Sequence, residues 1–265
     1  MLCPLTGVSL VPSGKVRTWR ISKSERGPLD PQRRPDIYPA SDPADWSQWQ
    51  RWDVRNHRTI YSALNVSTAF AEVLSSLKRK IGDKTLPDLR NYVDDLPAND
   101  PGGWKSVKEE WLERNHMDLD YLNNGWCSDR TKYHLEGSPD GWYVEVGTAE
   151  TMSAIANVLD ADLAGLDVVE LDISVVTGPR REVTCRIADW IYGVQLFDGS
   201  LPVGIVYPSR HGTHEGTCYA TWLRRIDDGY PPSSEMTRIL DSFPILPDDP
   251  DLKVIVQMFG IRTFS

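Results

Sequence analysis

The stretch "TIYSALNVSTAFAEVL", residues 59–74, changes period part-way along. Up to Ala63 it reads as a short buried strand. From Val66 onward the apolar positions Val66, Phe70, Val73, Leu74, Leu77 and Ile81 recur at helical spacing, with Asn65 or Ser67 placed to cap the helix. Glu72 lies on the edge of that apolar stripe, so packing alone does not account for it. A solvated surface glutamate is the plain alternative.

The same reading along the chain predicts a first strand in "KVRTWRIS", with Val16, Thr18 and Arg20 on one face and Arg17, Trp19 and Ile21 on the other. "GPLDPQRRPDIYPASDPADW" is too rich in proline for regular structure and reads as an ordered loop or lid. Residues 82–148 show little periodicity beyond a short helix in "VKEEWLERNHM" and a strand in "GWYVEVG". Helices are predicted in "AETMSAIANVLDADLAGL" and "PRREVTCRIADWIYG", with a strand in "VVELDISVVTG" between them. "VGIVYPS" and "GTCYATWLR" read as partner strands joined by a loop. "DDPDLKVIVQMFG" carries an Asp cap, a proline in its first turn and a glycine stop; "IRTF" follows it. Short strands mixed irregularly with helices favour an α+β fold over a doubly wound sheet.

Composition narrows the class. A chain of 265 residues, 40% hydrophobic and 25% charged, is long enough for a substantial core and reads as an ordinary soluble protein. Four scattered cysteines, with no C-x-x-C pair, do not make a disulfide framework. Neither a leader-like segment nor an apolar run of membrane length is visible, so the cytoplasm is the expected compartment and no membrane contact is expected. A net charge of -9 argues against a nucleic-acid partner. Residues 1–60 nevertheless hold ten Lys/Arg against six Asp/Glu, while the rest holds 19 against 32. Such a basic segment suits a small anionic ligand; a solvated arginine-rich loop is the other reading. Ten tryptophans serve either a core or the walls of a pocket for flat rings.

Several familiar sites are missing. The chain has no G-x-G-x-x-G, no G-x-x-x-x-G-K-[ST], no H-E-x-x-H and no G-x-S-x-G. "HGTHEGTC" brings His211, His214 and Cys218 close in sequence, but three mixed ligands without a fourth are a weak zinc signal, and no metal is expected. Ser209 beside a histidine is a weaker sign still of a hydrolase dyad.

Four segments remain: "TWRIS", "WQRWD", "IYSALNVSTAFAEVL" and "GIVYPSRHGTHEGTCYATW". In order and content they resemble the RES-domain family, named for its arginine, glutamate and serine. Arg20, Glu72 and Ser209 take those places, Arg51-Trp52 that of the family's "RW" element and Tyr61-Ser62-Ala63 that of its "YtA" element. "REVTCRIADWIYG" fits the helix that precedes the last motif. The glycine and asparagine usual around "RW" are absent from "QRWDV", and about 82–148 is uncovered, an insertion atypical of the family in a single domain over 1–265.

The resemblance implies a fold akin to ADP-ribosyltransferases and an enzyme that takes NAD as substrate, with no prosthetic group. It also implies a toxin paired with an Xre-type antitoxin, in which larger oligomers are common. Under it, Glu72, Arg20 and Tyr61 are the catalytic candidates. Arg20, Arg51, Trp52, Tyr61, Ser62 and Ser209 are the NAD-binding ones. The residue types fit that chemistry. Breaking the nicotinamide–ribose bond develops positive charge on the ribose, which a carboxylate stabilises. An arginine gives a bidentate grip on pyrophosphate. Hydrolysis, phosphorolysis and transfer of ADP-ribose to a protein stay open as outcomes. A non-catalytic module that binds NAD or a related nucleotide is the alternative of another class.

Overall fold

Eight strands enter one mixed sheet, and the helices that follow them in sequence cover it. The computed structural model describes residues 1–39, 45–78, 121–122, 124–211, 216–228 and 237–263. In chain order the elements are β1 (Leu10–Pro12), β2 (Arg17–Lys23), β3 (Thr59–Ala63), α1 (Val66–Leu74), β4 (Tyr121–Leu122), α2 (Asn124–Ser128), β5 (Arg130–Gly137) and β6 (Trp142–Glu145). They continue with α3 (Ala149–Ala164), α4 (Ile173–Thr177), α5 (Arg181–Gly193), β7 (Gly204–Pro208), β8 (Thr217–Trp222), α6 (Arg224–Asp227), β9 (Thr237–Pro244), α7 (Pro250–Phe259) and β10 (Arg262–Thr263). The large sheet runs β1-β6-β7-β8-β3-β2-β5-β9, and β10 pairs with β4 apart from it. Every pairing in the large sheet is antiparallel except β6 with β7. The fold is α+β, as the mixed periodicity predicts.

The sheet is held together unevenly. β2 matches β5 over seven residue pairs and β3 matches β8 over five, but β2 and β3 meet only at Trp19↔Ala63. Beyond that point the two strands splay, and the sheet divides into halves that share one seam. Phe70 and Leu74 of α1, Ile155 of α3, Ile187 and Ile191 of α5, and Leu252 and Ile255 of α7 form one apolar core with Trp52, Trp222 and Ile205.

Local chemistry sets the helix ends. Asn65 caps α1 through its side-chain oxygen, which accepts from Thr68 N at 2.7 Å. Asp249 caps α7, with Pro250 in the first turn and Gly260 in the left-handed conformation (φ 66°) at the C-terminus. Helix α1 is shorter than its apolar spacing suggests. After Leu74 the chain tightens into a 3-10 turn, Ser75–Leu77, and Ile81 lies outside the described residues. Val73, expected in the core stripe, is 37% exposed.

Two expectations need correction. "VVELDISVVTG" is not a strand: Asp172 accepts from Val175 N at 3.0 Å and starts the short helix α4. The β-branched run there has no neighbouring strand, and the cap decides its conformation. Nor is 82–148 wholly an insertion, because β5 and β6 are members of the large sheet. The helix expected in "VKEEWLERNHM" lies outside the described residues. All four cysteines are free and buried. Among the described residues no helix is long and apolar enough to cross a membrane.

Candidate active site

The splaying of β2 from β3 opens a cavity of about 400 Å³ at the seam, roofed by α1. Trp19, Arg20 and Ile21 of β2 line it, with Tyr61, Ser62 and Ala63 of β3 and Ala69, Glu72 and Val73 of α1. Gln50, Arg51, Ser75, Ser76, Arg181, Tyr207 and His211 complete the wall. Glu72, Arg20, Tyr61, Arg51 and Ser62 thus share one hollow, although they come from four parts of the fold: α1, β2, β3 and the turn at Gln50–Asp53. The cap at Asn65 sets the phase of α1, and that phase turns Glu72 inward while Phe70 and Leu74 stay in the core.

Glu72 is held rather than loose. Ser209 Oγ, just past the end of β7, donates to Glu72 Oε1 at 2.5 Å and also accepts from His211 N at 3.1 Å. Ser209 therefore reaches the site through the carboxylate it orients; it is not part of the cavity wall. His211 stands nearby, its pKa lowered chiefly by burial, with Glu72 opposing that shift and Arg210, Arg51 and Lys78 adding to it.

The cations divide into two kinds. Arg20 is deeply placed and donates from Nη1 to the carbonyl of Tyr61 at 3.0 Å, bridging the strands where their own pairing fails. Burial brings its pKa down to about 10. Part of its role is therefore to stabilise the seam that forms the cavity. Arg51 is buried, with its guanidinium 5.5 Å from the Tyr207 ring centre, and it forms no ion pair among the described residues. Arg181, at the first position of α5, has a buried Nη1 without a hydrogen-bond partner among them. Burial and the neighbouring Arg51 both lower its pKa. Two guanidiniums held this close repel each other, and the repulsion favours negative charge between them.

Tyr61 and Trp52 take places that periodicity does not foretell. The Tyr61 hydroxyl donates to Asp53 Oδ1 at 2.9 Å and accepts from Trp52 N at 2.9 Å, so the ring lines the cavity while its hydroxyl is committed behind it. Burial raises its pKa well above that of an ordinary phenol, with Asp53 adding to the shift. Asp53 Oδ2 accepts from Gln50 N at 2.7 Å and pairs with Arg34 Nε at 2.7 Å. Burial pushes the Asp53 carboxyl up against those partners. This buried network fixes the turn that carries Gln50 and Arg51 into the cavity. Trp52 does not enclose the hollow: it is fully buried and packs against Tyr207, which does line it.

Sequence reasoning passed over Arg181, Tyr207 and Gln50, and considered His211, the histidine near Ser209, only as a weak metal ligand or dyad partner. The signal for Arg181 was its place in "GPRRE" at a helix start, where a cation is unfavourable unless an anion faces it. His214 lies outside the described residues, and among those described no three His, Cys, Asp or Glu side chains are grouped to hold a metal.

Among solved structures, the chain is similar to one in the crystal structure of the M. tuberculosis MbcT-MbcA toxin-antitoxin complex, with a TM-score of 0.45 and 10% sequence identity. The match covers 92% of this chain and 88% of that one. No family model matches the sequence, and no curated protein matches it.

Proposed function

We propose that this chain cleaves the nicotinamide–ribose bond of NAD and serves as the toxin of a toxin–antitoxin pair, its partner an Xre-type protein. One observation carries the chemical part: a carboxylate, Glu72, oriented by Ser209, shares a cavity with two guanidiniums that have no ion-pair partner among the described residues. The order of the arginine, glutamate and serine motifs, similar to that of the RES-domain family, supports the same reading and is the basis for the toxin role.

In this reading Arg51 and Arg181 hold the pyrophosphate, and the ribose next to nicotinamide lies against Glu72. As the C1′–N1 bond breaks, its electron pair neutralises the pyridinium nitrogen and leaves a cation on the ribose. Glu72 stabilises that cation more than it does the ground state, which accelerates the step. Water or phosphate then adds at C1′ and loses a proton. Tyr61, Trp19 and Tyr207 supply flat walls that keep bulk water away from the reacting face.

Purified protein incubated with NAD is expected to release nicotinamide. Glu72→Gln keeps the shape but removes the charge, and is expected to lower kcat by about 100-fold or more, in the range typical of a lost electrostatic stabiliser. Full turnover in both Glu72→Gln and Glu72→Ala would falsify the role of Glu72. Product analysis separates the acceptors: ADP-ribose for water, ADP-ribose-1″-phosphate for phosphate, and labelled protein for transfer.

A further inference from the structure

The proposed reaction releases one proton that needs an acceptor. A water that adds at C1′ must lose a proton, or the ribose cation recombines with nicotinamide and the net release is slow. The cavity wall offers few groups to take that proton. Arg20, Arg51 and Arg181 are cations and accept none. Burial holds the phenols of Tyr61 and Tyr207 in their protonated form. Serine hydroxyls and the Gln50 amide bind protons too weakly. Glu72 has Oε1 engaged by Ser209, and its negative charge is what steadies the ribose cation; a proton on it would cancel that charge. Among the described residues of the wall, this leaves the imidazole of His211.

His211 is placed for this task. Ser209 Oγ donates to Glu72 and accepts from His211 N at 3.1 Å, so one hydroxyl fixes the carboxylate and the histidine backbone together. The His211 ring makes no hydrogen bond among the described residues. The groups around it keep it neutral: burial lowers its pKa, Arg210, Arg51 and Lys78 lower it further, and Glu72 opposes them. Arg181 of α5 faces the same hollow, while Tyr207 of β7 and Cys218 of β8 stay protonated through burial. We propose that His211 is the general base of the reaction, taking a proton from the attacking water as its oxygen bonds to C1′. The O–C1′ bond forms from a water lone pair, and one O–H bond breaks toward the imidazole. Nicotinamide keeps the C1′–N1 electron pair, and the imidazolium returns its proton to solvent. This rests on the NAD reading above and adds to it the group that captures the cation.

Azide separates this role from a structural one, because it is an anion that adds to C1′ with no proton to lose. Wild-type release of nicotinamide is expected to fall toward acid as the ring takes up its proton. His211→Gln is expected to release nicotinamide about 100-fold more slowly at about pH 7.5, without that histidine limb in its pH profile. Added azide should raise release by the variant about tenfold or more, with ADP-ribosyl azide as the product, and change the wild type little. Recovery by azide also shows that the variant is folded. Release by His211→Gln at the wild-type rate, or a loss that azide does not repair, overturns the inference and leaves NAD cleavage intact. A wild type that releases no nicotinamide, with or without azide, rejects the NAD reading and this step with it.

Discussion

At the scale of single residues, the site depends on charges kept in place by neighbours that never touch the cavity's contents. Ser209 orients Glu72, and Asp53 anchors Tyr61 and the turn that delivers Arg51. His211 is the titrating residue beside them. Burial depresses its pKa, as do Arg210, Arg51 and Lys78, and only Glu72 pulls the other way. An unfolded histidine titrates near about 6.5, so below that value the unfolded chain takes up a proton that the folded one resists. His211 therefore contributes stability above its unfolded pKa and loses it as pH falls through the folded one. Melting temperatures between about pH 5.5 and 7.5 are expected to fall more steeply toward acid for the wild type than for His211→Gln. Parallel slopes would remove His211 from the account.

At the scale of elements, periodicity was a good guide where an element has one buried face and a polar cap. That holds for α1, α3 and α7; α5 shows the buried face without a side-chain cap, and β3, β7 and β8 were visible as short apolar runs buried on both faces. It failed where partners lie far away in sequence. "RTKYHLEG" alternates, yet its outward positions are charged and its inward ones mixed, so β5 is hard to see before β2 and β9 flank it. The "DISVVT" run has strand-forming residues but is decided by one aspartate cap. Motif order named Glu72, Arg20, Arg51 and Tyr61, four residues that line one cavity. Arg181 and Tyr207 were not named, because only the packing of α5 and β7 against the seam brings them there. β7 also carries a test of this packing. A Cβ on Gly204 would sit 2.1 Å from the carbonyl oxygen of Ala220 in β8, an approach that backbone cannot yield cheaply. Gly204→Ala is expected to destabilise the protein by about 1–3 kcal/mol, seen as a lower denaturation midpoint. It should also loosen the hold on Glu72, since Ser209 follows directly from β7. An unchanged midpoint would mean that β7 and β8 are not packed as closely as this.

At the scale of the whole molecule, the same weakness that opens the cavity makes it a place where ligand and fold are coupled. The two halves of the large sheet meet through one β2–β3 pair, the Arg20 bridge to the Tyr61 carbonyl, and the core beneath α1. The guanidiniums of Arg51 and Arg181 repel each other at this seam, inside a chain of net charge -9 whose remaining surface supplies most of the acid. An anion bound between them replaces repulsion with attraction and joins β3, α5 and the turn at Gln50–Asp53. ADP-ribose, the product of the proposed hydrolysis, carries the pyrophosphate but no nicotinamide, so it probes this coupling without turnover. At about 100 times its Kd it is expected to add about 2.7 kcal/mol of stability through mass action. Glu72→Gln keeps both guanidiniums and should gain nearly the same shift in melting temperature at the same saturation. The Arg51→Ala/Arg181→Ala double variant should gain little at any attainable concentration, whatever its own starting stability. A ligand-induced shift of wild-type size in the double variant would place the pyrophosphate elsewhere, and the link between cavity and seam would go with it.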